Sequence, residues 1–289
     1  MFNTYAQMLE LVRLGYAKVS TNGHLDTFKY AKKVMFKYLW DEIPGIFECR
    51  GHTYDNRTGQ LVVAAPTKSF NYLEKDTWKD IPLDTPVTAY KKYNGFLACV
   101  SWQDGVRVIS TTGSTKSDFV KMADEVLKIS PQGSLHPMER FTDFYEIIHA
   151  DDPHIVDDGP PKAHYLGTRN KKDGEYIPMG RAYPTTLAGA IEMAKTDRGE
   201  GFMLYREDGS VCKLKTPYYV GKKKLMRANK AQVDAMYADP KDYTKNLPAM
   251  WSKLPGIITA YVGKEEWLEM NDQQRRECIE QMEKDNLND

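Results

Sequence analysis

The chain has 289 residues, of which 41% are hydrophobic and 28% charged, a composition typical of a folded protein that excludes a disordered or fibrous chain. Forty basic and forty acidic side chains cancel, which disfavours a globally basic nucleic-acid clamp, and no apolar run reaches the ~18 to 20 residues that span a bilayer. Glu10 interrupts the apolar N-terminal stretch and the cysteines show no C-x-x-C pair, so we expect a cytoplasmic protein without a signal peptide, disulfide framework or cysteine zinc site.

The first 45 residues are predicted to be helical, because apolar side chains recur at helical spacing in 8–14 and in 31–39. From Gly45 onward the pattern changes to short apolar or alternating runs separated by turn residues, which is typical of strands. Asp104-Gly105 and Asp208-Gly209 each stand between two such runs and are strong hairpin signals. Adjacent hairpins favour antiparallel sheets.

Helices interrupt these strands and then replace them. Ser117 is a candidate N-cap for a helix over 118–129, and a second apolar stripe predicts a helix over 186–196. Nearer the C-terminus the strand signals fade, and prolines punctuate further helical segments. The pattern predicts an α+β fold with a first domain over 1–222 and a small all-α C-terminal domain over 223–289.

Positive charge is concentrated in residues 211–230. This stretch contains seven cations and no acid, namely Lys213, Lys215, Lys222, Lys223, Lys224, Arg227 and Lys230. A local basic stripe on a neutral chain suits a site that handles phosphates. A solvated, charged surface explains the same residues, and composition does not decide between the two.

Three lysines stand where strand geometry gives them a defined direction. Lys92 precedes the Asn94-Gly95 turn between two predicted strands, and its amine can act as a nucleophile if nearby cations and partial desolvation lower its pKa. Lys213 and Lys215 lie two apart on one strand and therefore share a face. Taken singly, an ordinary turn lysine and an exposed strand edge explain these residues better than catalysis does.

Two acids belong to the same set. Glu200 precedes Gly201 at the start of the strand that is predicted to pair with the strand carrying the two lysines. Glu146 is flanked by apolar residues in a mostly buried strand. Its carboxylate therefore needs a partner, either a structural arginine or a ligand hydroxyl.

The order and spacing of these features resemble motifs I, III, IIIa, IV and V of the covalent nucleotidyltransferases, the superfamily of ligases and capping enzymes. The motifs here are Lys92-x-Asn94-Gly95, Phe144-Tyr145-Glu146, Tyr165-Leu166-Gly167, Glu200-Gly201-Phe202 and Lys213-Leu214-Lys215. Segments 48–55 and 65–72 look like the region that precedes the nucleophile in the phage-type RNA ligase 1 family. The resemblance covers about residues 45–220. Asn94 replaces a frequent Asp, which we expect to be tolerated, and the C-terminal region is shorter than in larger members.

The resemblance implies an ATP-dependent RNA ligase whose adenylyltransferase domain spans 1–222. Lys92 would take AMP from ATP and pass it to an RNA 5′-phosphate, after which a 3′-hydroxyl attacks and expels AMP. Implied catalytic residues are Lys92, Lys213, Lys215 and Glu200, with the paired lysines on the α-phosphate and Glu200 also binding magnesium, or manganese as the alternative metal. Implied cofactor contacts are Arg50 and Lys68 at the triphosphate, Phe70 near the nucleotide, Gly95, Lys116 near phosphate or RNA, Glu146 at the ribose, and Tyr219.

The implied partners are RNA ends that carry a 5′-phosphate and a 3′-hydroxyl, with a broken tRNA in RNA repair as a family-based candidate, and a monomer without membrane contact is expected. A DNA-end ligase, a capping-type nucleotidyltransferase and a catalytically silent RNA-binding protein of the same fold are the alternatives. His149-Ala150-Asp151-Asp152-Pro153-His154 has the residue types of a metal cluster, but its proline and its place after a strand favour a loop. Cys99 and Cys212 are interpreted as small core residues.

Overall fold

The structure is a computed structural model that describes residues 2–130, 138–152 and 154–286. Its strands are β1 Ala17–Asn22, β2 Leu25–Tyr30, β3 Arg50–Asp55, β4 Leu61–Val63, β5 Pro86–Lys92, β6 Phe96–Gln103, β7 Val106–Ser110, β8 Phe141–Ile148, β9 Lys162–Asn170, β10 Tyr176–Pro178, β11 Ala182–Thr186, β12 Gly201–Tyr205 and β13 Val211–Lys215. Its α-helices are α1 Tyr5–Arg13, α2 Lys32–Phe36, α3 Asp118–Ile129, α4 Leu187–Thr196, α5 Pro217–Met226, α6 Lys230–Ala238, α7 Pro240–Tyr243, α8 Leu254–Tyr261, α9 Lys264–Glu269 and α10 Asp272–Asn286.

The first compact unit comprises the described residues among 2–69, 95–150 and 159–181. It contains two antiparallel sheets, with strand orders β1-β2-β3-β4 and β10-β9-β8-β6-β7. Helix α3 packs on the second sheet through Ala123, Val126 and Leu127. The turn between β6 and β7 is the predicted one, and both Asp104 and Gly105 have positive φ, as a tight hairpin turn requires. The prediction of antiparallel sheets is confirmed.

The prediction that the first 45 residues are helical is confirmed for α1 and α2 and is wrong for the segment between them. Helices α1 and α2 flank an antiparallel hairpin, β1–β2, whose two-residue turn is Gly23-His24. The helical spacing in 8–14 and 31–39 is real, but Gly15 has a φ of +71° and ends the first helix. The segment between the two helices contains β-branched residues and a glycine turn, which are strand and hairpin signals.

The second compact unit comprises the described residues among 70–94, 151–158 and 182–289. Its sheet has the strand order β11-β5-β12-β13, and every pair in it is antiparallel. Helix α4 covers one face through Leu187, Ala190 and Ala194, which pack with the buried residues Phe202, Leu204, Cys212 and Leu214. Cys212 is therefore a core residue, as predicted, and Cys99 is likewise buried in its own unit.

The C-terminal region is helical, as predicted. Helices α5 to α10 bury an apolar cluster around Trp251, Ile258 and Trp267. Helix α5 runs through residue 222, and the buried amine of Lys222 donates to Glu280 of α10 at 2.6 Å. The domain boundary between 222 and 223 stays a prediction. Within the described part of the chain, no helix has the length and apolar character needed to cross a membrane.

Candidate active site

Three neighbouring strands of the second unit bring the predicted lysines together. Gly201, the first residue of β12, is the register partner of Lys92 on β5 and of Lys215 on β13. Residues directly opposite one another in an antiparallel sheet point to the same face. With strands about 4.8 Å apart, the two lysine backbones are roughly 10 Å apart on one face. The strand order thus flanks Gly201 with one lysine on each side.

Gly201 is needed for this arrangement. Its φ is +141°, and a Cβ built on it would lie 2.0 Å from the carbonyl oxygen of Leu214. Any larger residue would force β12 and β13 apart at the point where Glu200 and Lys215 meet. The Glu200-Gly201 pair in the sequence is therefore one unit, an acid followed by the residue that permits close strand contact.

Glu200 lies between the two amines. Its Oε2 accepts from Lys92 Nζ at 2.8 Å and its Oε1 lies 3.6 Å from Lys215 Nζ, while the residue is only 5% exposed. Burial lowers the pKa of Lys215; the nearby Lys92 lowers it further, and Glu200 opposes both. A carboxylate shared by two half-buried amines is a compact charge cluster of the kind that catalytic sites contain.

The structure separates Lys92 from its neighbour Lys91. Adjacent residues on a strand point to opposite faces, and Lys91 Nζ donates to Asp197 at 2.6 Å instead of to Glu200. The Lys91–Asp197 pair and the Lys92–Glu200 pair both lie within the second unit. Of these two adjacent lysines, Lys92 is the one at the Glu200 cluster, in agreement with the motif register.

Asn94 connects this cluster to the segment 154–158. Its side-chain oxygen accepts from the backbone N–H groups of Ile155 and Val156 at 2.8 and 3.0 Å, and its Nδ2 donates to Glu200 Oε2 at 3.4 Å. Its own backbone N–H donates to Asp158. Asn94 is 8% exposed. It therefore supports the turn, as expected from the sequence, and also contacts the catalytic candidate Glu200.

Tyr219 lies between two cations. Lys215 Nζ is 4.8 Å from the centre of its ring and Lys223 Nζ is 5.7 Å from it. Burial lowers the pKa of Lys223, and the charge of Lys215 adds to the effect. Lys223 is a candidate that the motif comparison did not select. Its sequence signal is its position four residues after Tyr219 on α5, which puts the two side chains on one helix face.

Lys213 and Phe70 are joined through the backbone. The N–H of Lys213 donates to the carbonyl of Phe70 at 2.9 Å, and the N–H of Tyr72 donates to the carbonyl of Lys213 at 2.7 Å. The alternation predicted for β13 is confirmed, since Cys212 and Leu214 are buried while the lysines are half-buried. Segment 70–72 therefore partly covers the edge of β13, so that Lys213 is not on a bare solvent edge.

The remaining candidates lie in the first unit. Glu146 is 8% exposed, and its Oε1 accepts from the backbone N–H of Gly95 at 3.1 Å, so a backbone amide is a partner where the sequence suggested an arginine or a ligand. A Cβ on Gly95 would lie 2.1 Å from the carbonyl of Ile147, which explains the glycine. The structure thus connects the end of motif I with motif III.

Three basic candidates of this unit bind backbone carbonyls. Arg50 donates to Pro66 at 3.4 Å and Lys68 to Ser69 at 2.9 Å, and both side chains are half-buried. Lys68 also lies 5.6 Å from the centre of the Trp40 ring. Lys116 is exposed, and its amine donates to the carbonyl of Thr21 at 2.6 Å.

The His149–His154 stretch is irregular in its described residues, as predicted, and Pro153 lies outside them. His154 pairs with Asp152 at 3.4 Å and His149 with Glu125 at 3.5 Å. The described residues contain no group of three or more His, Cys, Asp or Glu side chains arranged to hold a metal ion. A metal at Glu200 would therefore take most of its ligands from phosphates and water, which is a common way to bind Mg²⁺.

No protein-family model and no curated protein matches the chain. Among solved structures it is similar to an archaeal ATP-dependent RNA ligase, form 2, with a TM-score of 0.52 and 15% identity over 96% of this chain and 75% of that one. Form 1 of the archaeal ligase gives a TM-score of 0.52 and 16% identity over 95% and 74% of the two chains. These likenesses confirm the fold class: an antiparallel-sheet nucleotidyltransferase fold followed by a helical C-terminal region.

Proposed function

We propose that the chain is an ATP-dependent RNA ligase that joins 5′-phosphate and 3′-hydroxyl RNA ends through a covalent lysine adenylate. The observation that carries the proposal is the pairing of Lys92 and Lys215 with the two oxygens of buried Glu200. The similar archaeal structures are named ATP-dependent RNA ligases, which supports RNA as the substrate class. Membership of the phage-type RNA ligase 1 family stays a prediction from the motifs.

Lys92 is proposed as the nucleophile. Its Nζ forms a bond to the α-phosphorus of ATP while the bond from that phosphorus to pyrophosphate breaks. The amine must lose a proton to water for this, and its ion pair with Glu200 Oε2, 2.8 Å away, favours the charged form for as long as that pair persists. Lys213 and Lys215 would stabilise the negative charge that grows on the phosphate oxygens, since fixed cations are most effective in a half-buried site.

Magnesium, or manganese in its place, is proposed at Glu200. The metal would neutralise phosphate charge and orient the leaving pyrophosphate. Because Glu200 already pairs with two amines, a metal there would compete with Lys92 for the carboxylate. That competition favours the neutral, nucleophilic form of the amine.

The motif resemblance supplies further proposed nucleotide contacts. In the second unit, the ring of Tyr219 lies next to the amine of Lys215 and is proposed to position it for the nucleotide. Phe70, whose side chain is half-buried, is hydrogen-bonded to β13 through its backbone and is proposed near the nucleotide. In the first unit, Glu146 is proposed at the ribose beside Gly95, and Arg50 and Lys68 at the triphosphate. Lys116 is proposed near phosphate or RNA, where it would have to leave the carbonyl of Thr21.

RNA repair, a broken tRNA as the natural substrate, a monomeric state and a cytoplasmic location are further proposals from the resemblance. A DNA-end ligase and a capping-type enzyme remain as alternatives within the superfamily, but no contact of the described residues favours them. A catalytically silent RNA-binding protein is less consistent with the structure, because Lys92, Glu200 and Lys215 lie together in a single charge cluster.

One experiment tests the proposal. The protein is incubated with magnesium and α-labelled ATP or GTP, and then with 5′-phosphorylated RNA or DNA strands. Label should attach covalently to the protein from ATP, move to RNA, and leave as AMP when the ends join. Label from GTP would support a capping enzyme, and transfer to DNA alone would support a DNA ligase. Absence of covalent label with either nucleotide would exclude all three.

A further inference from the structure

Three cations lie side by side across the first sheet. Lys18 on β1 is the register partner of Lys29 on β2, and Lys29 is the partner of Arg50 on β3. With strands about 4.8 Å apart, this cation row spans roughly 10 Å. Like charges opposite one another destabilise a sheet. None of the three forms an ion pair with any residue in the described part of the chain, so no acid among those residues offsets the repulsion by direct pairing.

The turn that contains Gly113, before α3, lies against one side chain of the row, Lys29. A Cβ on Gly113 would lie 2.8 Å from Cδ of Lys29, so the lysine side chain rests directly against this turn. Arg50 is held by its hydrogen bond to the carbonyl of Pro66. The cations are therefore arranged on a sheet with defined spacing, and their positive charge faces outward at Lys18 and Lys29, which are exposed.

A basic and aromatic segment adjoins the row. The backbone N–H of Ala31 donates to the carbonyl of Tyr16 at 2.7 Å, which places α2 at the end of the hairpin next to Lys18 and Lys29. Lys33 on α2 lies 4.2 Å from the centre of the Tyr16 ring. Two aromatic side chains follow on this segment and project into solvent, with Phe36 68% and Tyr38 54% exposed.

Lysines outnumber acids in this region up to Asp41 and Glu42, which follow it directly. Residues 14–40 contain five lysines and one acid, Asp26. That acid is 6% exposed and accepts from Tyr5 at 2.6 Å and Thr21 at 2.7 Å, so it does not face the lysines from the surface. A surface that combines unpaired cations with exposed aromatic rings is typical of proteins that bind single-stranded nucleic acid.

We propose that Lys18 and Lys29, the exposed lysines of the cation row, bind the phosphate backbone of single-stranded RNA and that Phe36 and Tyr38 stack on its bases. The proposal rests on the proposed function only for the choice of RNA as the polynucleotide. An anionic membrane also attracts cations and aromatic rings. It fits less well, because α2 has only five residues with Val34 buried, and the row itself lies on a sheet rather than on an amphipathic helix.

The test compares two double variants of equal charge. Lys18→Ala with Lys29→Ala, called the row variant, removes the two exposed lysines of the row. Lys79→Ala with Lys195→Ala is the control, since these exposed lysines pair with neighbouring Asp76 and Glu192. Binding of a labelled, 5′-phosphorylated single-stranded RNA of about 16 nucleotides is measured over a range of salt concentrations. Each phosphate contact on a single strand contributes about 0.7 to the slope of log affinity against log salt concentration. Loss of two contacts in the row variant should therefore reduce this slope by about 1.4 and the RNA affinity near 0.15 M salt by about tenfold. The control should bind as the wild type does.

A third variant separates stacking from charge. Phe36→Ala should weaken RNA binding by at least about fivefold without changing the salt slope, because base stacking carries no counterion release. Wild-type affinity in the row variant, or binding of all proteins to phosphatidylserine vesicles in preference to RNA, would overturn the inference.

The outcome is independent of covalent labelling. Adenylate formation from ATP needs no RNA, so its measurement on the same preparations reports the proposed function alone. Covalent label with unchanged RNA affinity in the row variant would reject the RNA surface and keep the ligase. Weaker RNA binding by the row variant, without label in any preparation, would keep the surface and reject the ligase.

Discussion

Lys92 and Glu200 form an ion pair across neighbouring strands, with Nζ 2.8 Å from Oε2. The pair arises because Lys92 ends β5 and Glu200 immediately precedes β12, whose first residue is the register partner of Lys92. Lys215, on the other side of β12, reaches the second oxygen of the same carboxylate at 3.6 Å. One buried acid therefore holds two amines on one face of the sheet.

Lys92→Ala should abolish covalent transfer of label from α-labelled ATP to the protein, because the nucleophile is removed. Lys91→Ala is the matched control. It removes the adjacent lysine, which pairs with Asp197 on the other face, and should keep the covalent label. Gel autoradiography of denatured protein measures both. Label that persists in Lys92→Ala would exclude Lys92 as the nucleophile.

Lys213→Ala and Lys215→Ala should each slow adenylate formation by about 10²-fold or more, the usual cost of removing a preorganised charge from a transition state. Lys224→Ala is the control, since this exposed lysine comes from the same basic stretch and donates to a backbone carbonyl at Asn246. Single-turnover rates of label incorporation are compared. If both strand variants incorporate label at the wild-type rate, Lys213 and Lys215 have only a structural role.

Gly201→Ala should destabilise the protein and reduce adenylate formation, because its Cβ would lie 2.0 Å from the carbonyl of Leu214. Gly209→Ala is the control for backbone strain alone. Gly209 also has a positive φ, +79°, but a Cβ there meets nothing within 4 Å, so we expect a loss of only about 1–2 kcal/mol. Urea denaturation gives the free energy of unfolding. Equal losses in the two variants would mean that the close strand contact is unimportant.

Asn94→Leu should lower the free energy of unfolding by about 2 kcal/mol or more, because it leaves two buried N–H groups, of Ile155 and Val156, without their acceptor. Asn94→Asp retains an acceptor and should cost less stability. Its carboxylate would add a second negative charge beside Glu200, however, which strengthens divalent-cation binding, so adenylate formation should need less magnesium. Denaturation and a magnesium titration test the two effects. A larger stability loss for Asp than for Leu would contradict the turn-supporting role.

His52 should make the stability depend on pH. Burial, aided by the charge of Arg169, lowers the pKa of His52 to about 3. The unfolded chain binds this proton near pH 6.5 while the native state does not, so stability is full above that pH and falls as the pH decreases toward the native pKa. His52→Phe should remove this contribution, worth about 1.4 kcal/mol per pH unit below pH 6. Denaturation curves between pH 7 and pH 5 compare the slopes, and identical slopes would show that His52 does not contribute.

Turn residues and helical spacing in the sequence predict several elements of the fold correctly, but they do not predict the hairpin between α1 and α2. The Asp104-Gly105 hairpin and the helix over 118–129 follow from short segments, because turn chemistry and helical periodicity are properties of neighbouring residues. Ser117 occupies the N-cap position as predicted, although its side chain makes no capping hydrogen bond. The β1–β2 hairpin was missed because helical spacing on both sides of it was extended across Gly15 and Gly23.

The sequence by itself determined that Lys213 and Lys215 share a face, since a strand repeats every two residues, and its motif order selected Lys92 and Glu200 as candidates. Only the tertiary structure decided that these residues meet. Lys92 and Glu200 are 108 positions apart, and their contact depends on β5 pairing with β12 rather than with a strand next to it in the chain. The same holds for the cation row, where the register of three strands aligns Lys18, Lys29 and Arg50. Strand pairing over such separations is governed by the packing of the whole sheet, and no short segment contains that information.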